Sequence, residues 1–190
     1  GGYRVNPFLI TKVTDQMGKV LSEFTPPALD ESARAIDARN AFVMTSLLQE
    51  VTRSGTAARA QATLKRNDIY GKTGTTNDSM DAWFAGYHPT LTAVTWIGYD
   101  TPRKLGDRET GGGLSLPVWI SYMQHALEGV GIAEPVPPAG LSHEGGDWTY
   151  TEFSKGGGVS SLGMDSKASG SNESLPVNDE KKKILDLFKN

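Results

Sequence analysis

The sequence predicts an α+β domain: an antiparallel sheet packed against helices on its faces. Three observations predict it. Segments with strand-like alternation and segments with helical periodicity follow one another as hairpin, helix, three strands, helix. Two of the strand-like segments are joined by only His88-Pro89-Thr90, which obliges them to pair antiparallel. The chain has 190 residues, 37% of them hydrophobic, enough for one domain with a core.

The elements follow in order. Val5 to Val13 is strand-like, Asp15-Gln16-Met17-Gly18 is a turn, and Lys19-Val20-Leu21 begins the return strand. Thr25-Pro26-Pro27 ends the pair, because proline cannot donate to a ladder. Asp37 suits a helix N-cap. Ala41, Met44, Leu48 and Val51, with Leu47 beside them, then recur at helical spacing up to Gly55. Asp68-Ile69-Tyr70-Gly71-Lys72-Thr73 reads as a strand, and Ala82 to Tyr87 and Leu91 to Tyr99 as two more. Gly111-Gly112-Gly113 predicts a flexible loop. Ser115 is placed to cap a last helix with Pro117 in its first turn. Its apolar face is Trp119, Tyr122, Met123, Ala126 and Leu127, and Gly129 ends it. The domain is expected over 1–132. Residues 133–190, with Pro135, Pro137 and Pro138 and a small, polar run from Ser154 to Ser174, are expected to be a disordered tail. Lys181 to Phe188 reads as its solvated end.

Composition excludes several functions. Net charge is −3 with no basic face, which disfavours nucleic acid. There is no cysteine, so a disulfide framework, a thiolate zinc site and a cysteine nucleophile are excluded. His88, His125 and His143 lack metal-ligand spacing, so neither metal nor other cofactor is expected. His88, beside Pro89 in a tight turn, is expected at the surface. Trp83, Trp96 and Trp119 are expected in the core, and Asp81 as a capping or salt-bridging residue. No run of 18 apolar residues is present. The chain starts Gly1-Gly2-Tyr3 and reads as a cut from something longer.

The densest chemistry lies at Gly71-Lys72-Thr73-Gly74-Thr75-Thr76-Asn77-Asp78, where a cation, hydroxyls and two glycines share a strand end. Alternation sends Thr73 and Thr75 to one face and Lys72 to the other, while Gly74 permits close backbone approach. Hydroxyls that donate to a carboxylate, beside an ammonium, suit an extended peptide bound by strand addition. The tripeptide Lys-Thr-Gly alone is commonly just a loop or turn. A nucleotide-binding phosphate loop would need glycine where Arg66 stands and a helix where strand follows.

The neighbours decide between these. The run from Gly71 to Asp78, followed at once by Asp81-Ala82-Trp83-Phe84-Ala85-Gly86-Tyr87, resembles the class A (bifunctional) penicillin-binding proteins, and most closely their 1A branch. The resemblance extends to Asn40 through Val51 with Gly55-Thr56-Ala57, to Gly1 through Pro7 with Ile10, and to Trp96 through Asp100 and Pro117-Val118-Trp119. It covers about residues 1–132. It implies the C-terminal part of a penicillin-binding transpeptidase, β-lactamase-like fold. The superfamily's other motifs are Ser-x-x-Lys and a Ser-x-Asn type. Neither occurs here: no lysine has a serine three residues before it, and no asparagine has one two before. The resemblance therefore implies a chain that is inactive alone and is completed by the N-terminal remainder of the same protein.

The implied reaction is peptidoglycan cross-linking through an acyl-serine, with stem peptides as substrates and β-lactams as inhibitors. The implied roles are charge near the serine and substrate carboxylate for Lys72, carboxylate binding for Thr73 and Thr75, and half of an oxyanion hole for the Thr75 N–H. Gly74 and Thr76 complete the implied substrate strand. The implied location is the periplasmic side of the bacterial inner membrane, with the anchor outside this chain. A D,D-carboxypeptidase or β-lactamase, or a non-catalytic cell-wall scaffold of the same fold, stand as alternatives.

Overall fold

The computed structural model describes residues 1–154. The fold opens on a short hairpin, β1 (Lys12–Thr14) with β2 (Val20–Glu23). Both strands are shorter than the alternation predicts, and both are exposed along their length. Their turn is built by Asp15, whose carboxylate accepts from the N–H groups of Met17 and Lys19, each at 2.9 Å. Gly18 takes a φ of 83°, which a side chain would resist.

Helix α1 (Ala38–Arg53) begins where expected, with the Asp37 carboxylate accepting from the Arg39 N–H at 2.9 Å. Its inward face differs from the apolar pattern. Met44 and Leu47 are exposed, while a stripe of polar side chains meets the neighbouring strand. Thr45 Oγ1 lies 3.2 Å from the Tyr87 hydroxyl, Gln49 Nε2 donates to the Asn67 carbonyl at 2.6 Å, and Thr52 Oγ1 donates to the Ile69 carbonyl at 2.6 Å. Residues 45, 49 and 52 are one helical face. Hydrophobicity alone misses such a face, because what it satisfies is polar groups, backbone carbonyls among them, rather than apolar surface. A second helix not foreseen in the sequence, α2 (Arg59–Leu64), follows, and Lys65 ends it at a φ of 52°.

The sheet contains β3 (Tyr70–Thr75), β4 (Ala82–His88) and β5 (Leu91–Ile97), all antiparallel in the order β3-β4-β5. Its register pairs Thr73 with Phe84 and Thr75 with Ala82. Alternation gives the sheet two unlike faces. One carries Phe84, Ala93 and Gly71 against α3 (Leu116–Ala126). There Trp119 packs edge-on to Phe84 at 4.9 Å and its Nε1 donates to the Ala93 carbonyl at 3.0 Å. Ala57, Ala60, Ile69, Leu116, Ile120, Met123 and Leu127 complete this core. Of the face expected on α3, Tyr122 and Ala126 are instead exposed, and Leu116 and Ile120 replace them. The opposite face carries Trp83 and Trp96, 41% and 42% exposed with ring centroids 6.1 Å apart. Of the three tryptophans expected in the core, only Trp119 is buried. The other two lie on the opposite face, at the end that α1, reaching Tyr87 through Thr45, leaves open among the described residues.

His88 is also a correction, being 1% exposed. The last residue of β4 points to the core face, where its Nε2 lies 3.0 Å from the buried Asp68 carboxylate. Asp68 is paired in turn with Arg66, which also donates to the Val130 and Gly131 carbonyls.

Beyond α3, where the composition predicts a tail, the structure has a further hairpin, β6 (Leu141–Glu144) with β7 (Asp147–Tyr150). Gly145 and Gly146, both at positive φ, make its two-residue turn. It packs on α1 through an edge-on Phe42–Trp148 pair at 5.0 Å and an Arg39–Glu152 ion pair at 2.7 Å. The tail expected over the rest of 133–190, with its Lys181–Phe188 end, lies outside the described residues from 155 onward.

Candidate active-site strand

β3 is an edge of the described sheet, so one side of its backbone has no strand partner there. Lys72, Thr73 and Thr75 fall within its last four residues. Lys72 is exposed and its Nζ donates to the Thr73 carbonyl at 2.9 Å, lying 3.5 Å from Thr73 Oγ1. The ammonium and the Thr73 hydroxyl are thus neighbours although their Cβ atoms point to opposite faces. The long lysine side chain folds over the strand edge.

Thr73 and Thr75 point to the core face, towards the start of α3. The Thr75 hydroxyl accepts from the Gly111 N–H at 3.1 Å. The Thr73 hydroxyl lies 2.9 Å from that of Thr56, in the turn between α1 and α2. Gly111–Ser115 is not the flexible loop expected from three glycines but a wide helical turn leading into α3. Thr110, rather than Ser115, caps it, accepting from the Gly113 N–H at 3.2 Å. Ser115 is buried and donates to the Ala82 carbonyl at 2.6 Å. Gly111 lies directly against the strand. A Cβ there would collide with the Trp83 carbonyl oxygen and sit 2.6 Å from that of Gly74. Glycine lets the positive end of the helix approach the strand that carries Lys72, and both favour an anion there.

Gly74 permits the same closeness on the other face, since its Cβ would lie 3.2 Å from that of Trp83. Thr76 closes the turn to β4, its hydroxyl accepting from the Asp81 N–H at 2.8 Å. The Asp81 carboxylate accepts from Trp96 Nε1 at 2.9 Å, holding the far end of the sheet. Two residues before Lys72, Tyr70 is buried, and burial followed by the charges of Asp68 and Glu134 pushes its phenol up to about 12. No group of acidic or histidine side chains among the described residues is arranged to hold a metal. A shallow concavity on the outer side of α3, around Pro117, Tyr122 and His125, lies away from this strand. The structure therefore assembles Lys72, Thr73 and Thr75 with Thr56 and Gly111. In the sequence Thr56 carried no role, and Gly111 only that of a flexible loop. Gly111's closeness to β3 has no local signal, and Thr56 comes only as part of the matching Gly55-Thr56-Ala57 run.

A strand edge with a cation, two hydroxyls and an abutting helix start is an arrangement whose chemistry favours an anion. The comparisons fix the family. The model of the penicillin binding protein transpeptidase domain matches residues 1–121, and the chain belongs to that family. Within it the chain is similar to penicillin-binding proteins 1A. The protein of that name from Neisseria flavescens is 43% identical over 148 residues, covering 77% of this chain and 18% of the relative. That from Pseudomonas aeruginosa is 36% identical, covering 74% of this chain and 23% of the relative. The crystal structure of penicillin-binding protein 1A from Haemophilus influenzae superposes with a TM-score of 0.69 at 29% identity, covering 79% of this chain and 29% of that one. The chain spans about a fifth of the length of the relatives it matches.

Proposed function

We propose that the complete protein containing this chain is a peptidoglycan D,D-transpeptidase, and that β3 is its substrate strand. The observation that carries the reading is the convergence of Lys72, Thr73, Thr75 and the helix start at Gly111 on one strand edge. A stem peptide lies antiparallel to β3 by strand addition. Its terminal carboxylate meets the Thr73 and Thr75 hydroxyls and the Lys72 ammonium. A serine from the remainder of the protein attacks the penultimate D-alanine carbonyl. The carbonyl oxygen becomes an oxyanion held by the Thr75 N–H and by the N–H of that serine. D-alanine leaves, the serine ester remains, and the amine of a second stem peptide displaces the serine to form the cross-link. A β-lactam enters by the same attack on its ring carbonyl and leaves slowly. Each oxyanion donor of this kind stabilises the transition state by about 3–4 kcal/mol. Gly74 and Thr76 keep the strand end accessible and in register.

This reading sets the protein on the periplasmic side of the inner membrane, anchored through a part outside this chain. Among the described residues no helix is long and apolar enough to cross a membrane.

Fluorescent-penicillin acylation of the complete protein tests the reading. Labelling is expected to fall at least about tenfold in Lys72→Ala, a loss of roughly 1.4 kcal/mol. Equal labelling of both forms removes Lys72 from the site, and labelling of neither leaves a fold that has lost its chemistry.

A further inference from the structure

Thr73 has one hydroxyl proton, and its direction decides whether the residue can donate to a carboxylate. Three groups surround its oxygen. Lys72 Nζ lies 3.5 Å away and can only donate. Thr56 Oγ1 lies 2.9 Å away and can do either. The third is the open side of the strand edge. If Thr73 gave its proton to Thr56, an anion arriving at the edge would meet lone pairs. If Thr56 donates, the Thr73 proton is left for the incoming ligand. An anion on the open side selects the second arrangement.

Thr56 is held for this. Its neighbour Ala57 is fully buried, and the Ala57 N–H donates to the Val51 carbonyl at 3.0 Å, fixing the turn after α1. The polar stripe of α1 that satisfies the Asn67 and Ile69 carbonyls continues in the same direction and ends at the Thr56–Thr73 pair. A Cβ at Gly112 would lie 3.1 Å from the Thr56 carbonyl oxygen, so the helix start closes the turn from the other side. Thr56 has no need to touch the ligand; it acts through Thr73.

We propose that Thr56 is a positioning residue: by donating to Thr73 Oγ1 it presents the Thr73 proton to the carboxylate of the bound peptide or β-lactam. The inference rests on the reading of Thr73 as a carboxylate-binding residue. It makes Thr56 the determinant of how strongly the site prefers ligands with a free carboxylate.

The experiment compares second-order acylation rates of the complete protein with benzylpenicillin and with its methyl ester, which lacks the anion. Wild type, Thr56→Val, Thr56→Ser and Thr73→Val are measured, with a melting temperature for each. Thr73→Val is expected to lower the rate ratio of acid to ester about tenfold. Thr56→Val is expected to lower the same ratio about three- to tenfold with the melting temperature within about 2 °C of wild type, and Thr56→Ser to restore it. If Thr73→Val lowers the ratio and Thr56→Val does not, the role of Thr56 is overturned while the carboxylate reading stands. If Thr56→Val slows acid and ester alike, or Thr56→Ser fails to restore the ratio, the residue is structural and the proposal fails. A ratio unmoved by Thr73→Val removes the carboxylate reading and the inference with it.

Discussion

Asp68 has no solvent exposure, and burial alone pushes its carboxyl up. The Arg66 guanidinium, the Ala133 N–H and His88 overcome that and hold it at about 2. His88 Nδ1 accepts from the Thr90 N–H at 3.2 Å, and its Nε2 lies 3.0 Å from Asp68 Oδ2 and 3.1 Å from Arg66 Nη2. This cluster ties the start of β3 to the end of β4 and to the chain leaving α3. A folded carboxyl held below its unfolded value contributes stability above about pH 4. That contribution is lost as pH falls through about 2, and amounts to about 2 kcal/mol. Asp68→Asn removes it and leaves the largely enclosed Arg66 guanidinium without its carboxylate partner. It is expected to destabilise the transpeptidase unit of the complete protein by about 3–5 kcal/mol. Denaturant titrations should also show a shallower loss of stability between about pH 4 and 2 in the variant. A variant as acid-sensitive as wild type would show that the cluster does not hold the unit together. The sequence did not make this cluster legible. His88 sits beside a proline turn, which predicts exposure, and only the register of β4 turns its ring inward. Lys72, Thr73 and Thr75 were legible because their chemistry is contiguous in the chain. Thr56 was not, because its partner lies 17 residues away.

At the scale of elements, strands and long helices were read from alternation and capping, and two readings failed for opposite reasons. Proline and glycine around β6–β7 suggested disorder, yet Leu141–Glu144 and Asp147–Tyr150 flank a Gly145-Gly146 turn of the type that closes a hairpin. Trp148 supplies the apolar contact with Phe42 that anchors it. The glycines at 111–113 suggested a flexible loop, yet Gly111 is buried where two backbones meet a third. Composition reports a glycine's freedom but not the close approach it allows. The two roles separate by substitution. Gly111→Ala forces the helix start off β3 and is expected to cost about 1–3 kcal/mol and to reduce penicillin acylation. In Gly113→Ala the new Cβ would meet Thr110 Oγ1 at 3.5 Å, an ordinary contact. That variant is expected within about 0.5 kcal/mol of wild type. Thermal melts of the two forms, read beside their labelling, check this. Equal tolerance of both would mean that the helix start does not depend on its closeness to the strand.

For the molecule as a whole, fold class and strand pairing were legible because they follow from local pattern and from one three-residue connection. What completes the sheet is not in this chain's pattern. β3 and β5 are both edges of the described sheet. Trp83, Trp96 and Val94, the last 57% exposed, form an apolar face on the side away from α3. Exposed edges and a contiguous aromatic face are what native domains cover. The superposed Haemophilus influenzae protein is matched over only 29% of its length, so that fold extends far beyond the part this chain represents. The α3 side has a packed core and α1 covers the Tyr70–Tyr87 end of the other face, but the open Trp83–Trp96 end lacks part of the burial that would offset the chain entropy. The isolated chain is therefore expected to melt broadly, without a cooperative transition, and to bind hydrophobic dyes at room temperature. The same residues within the complete protein are expected to unfold cooperatively and to bind no such dye. Calorimetry on both forms checks it. A sharp transition of the isolated chain within the ~45–65 °C usual for single domains would mean that α3 and its core stabilise the sheet alone. The aromatic face would then need a reason other than fold completion.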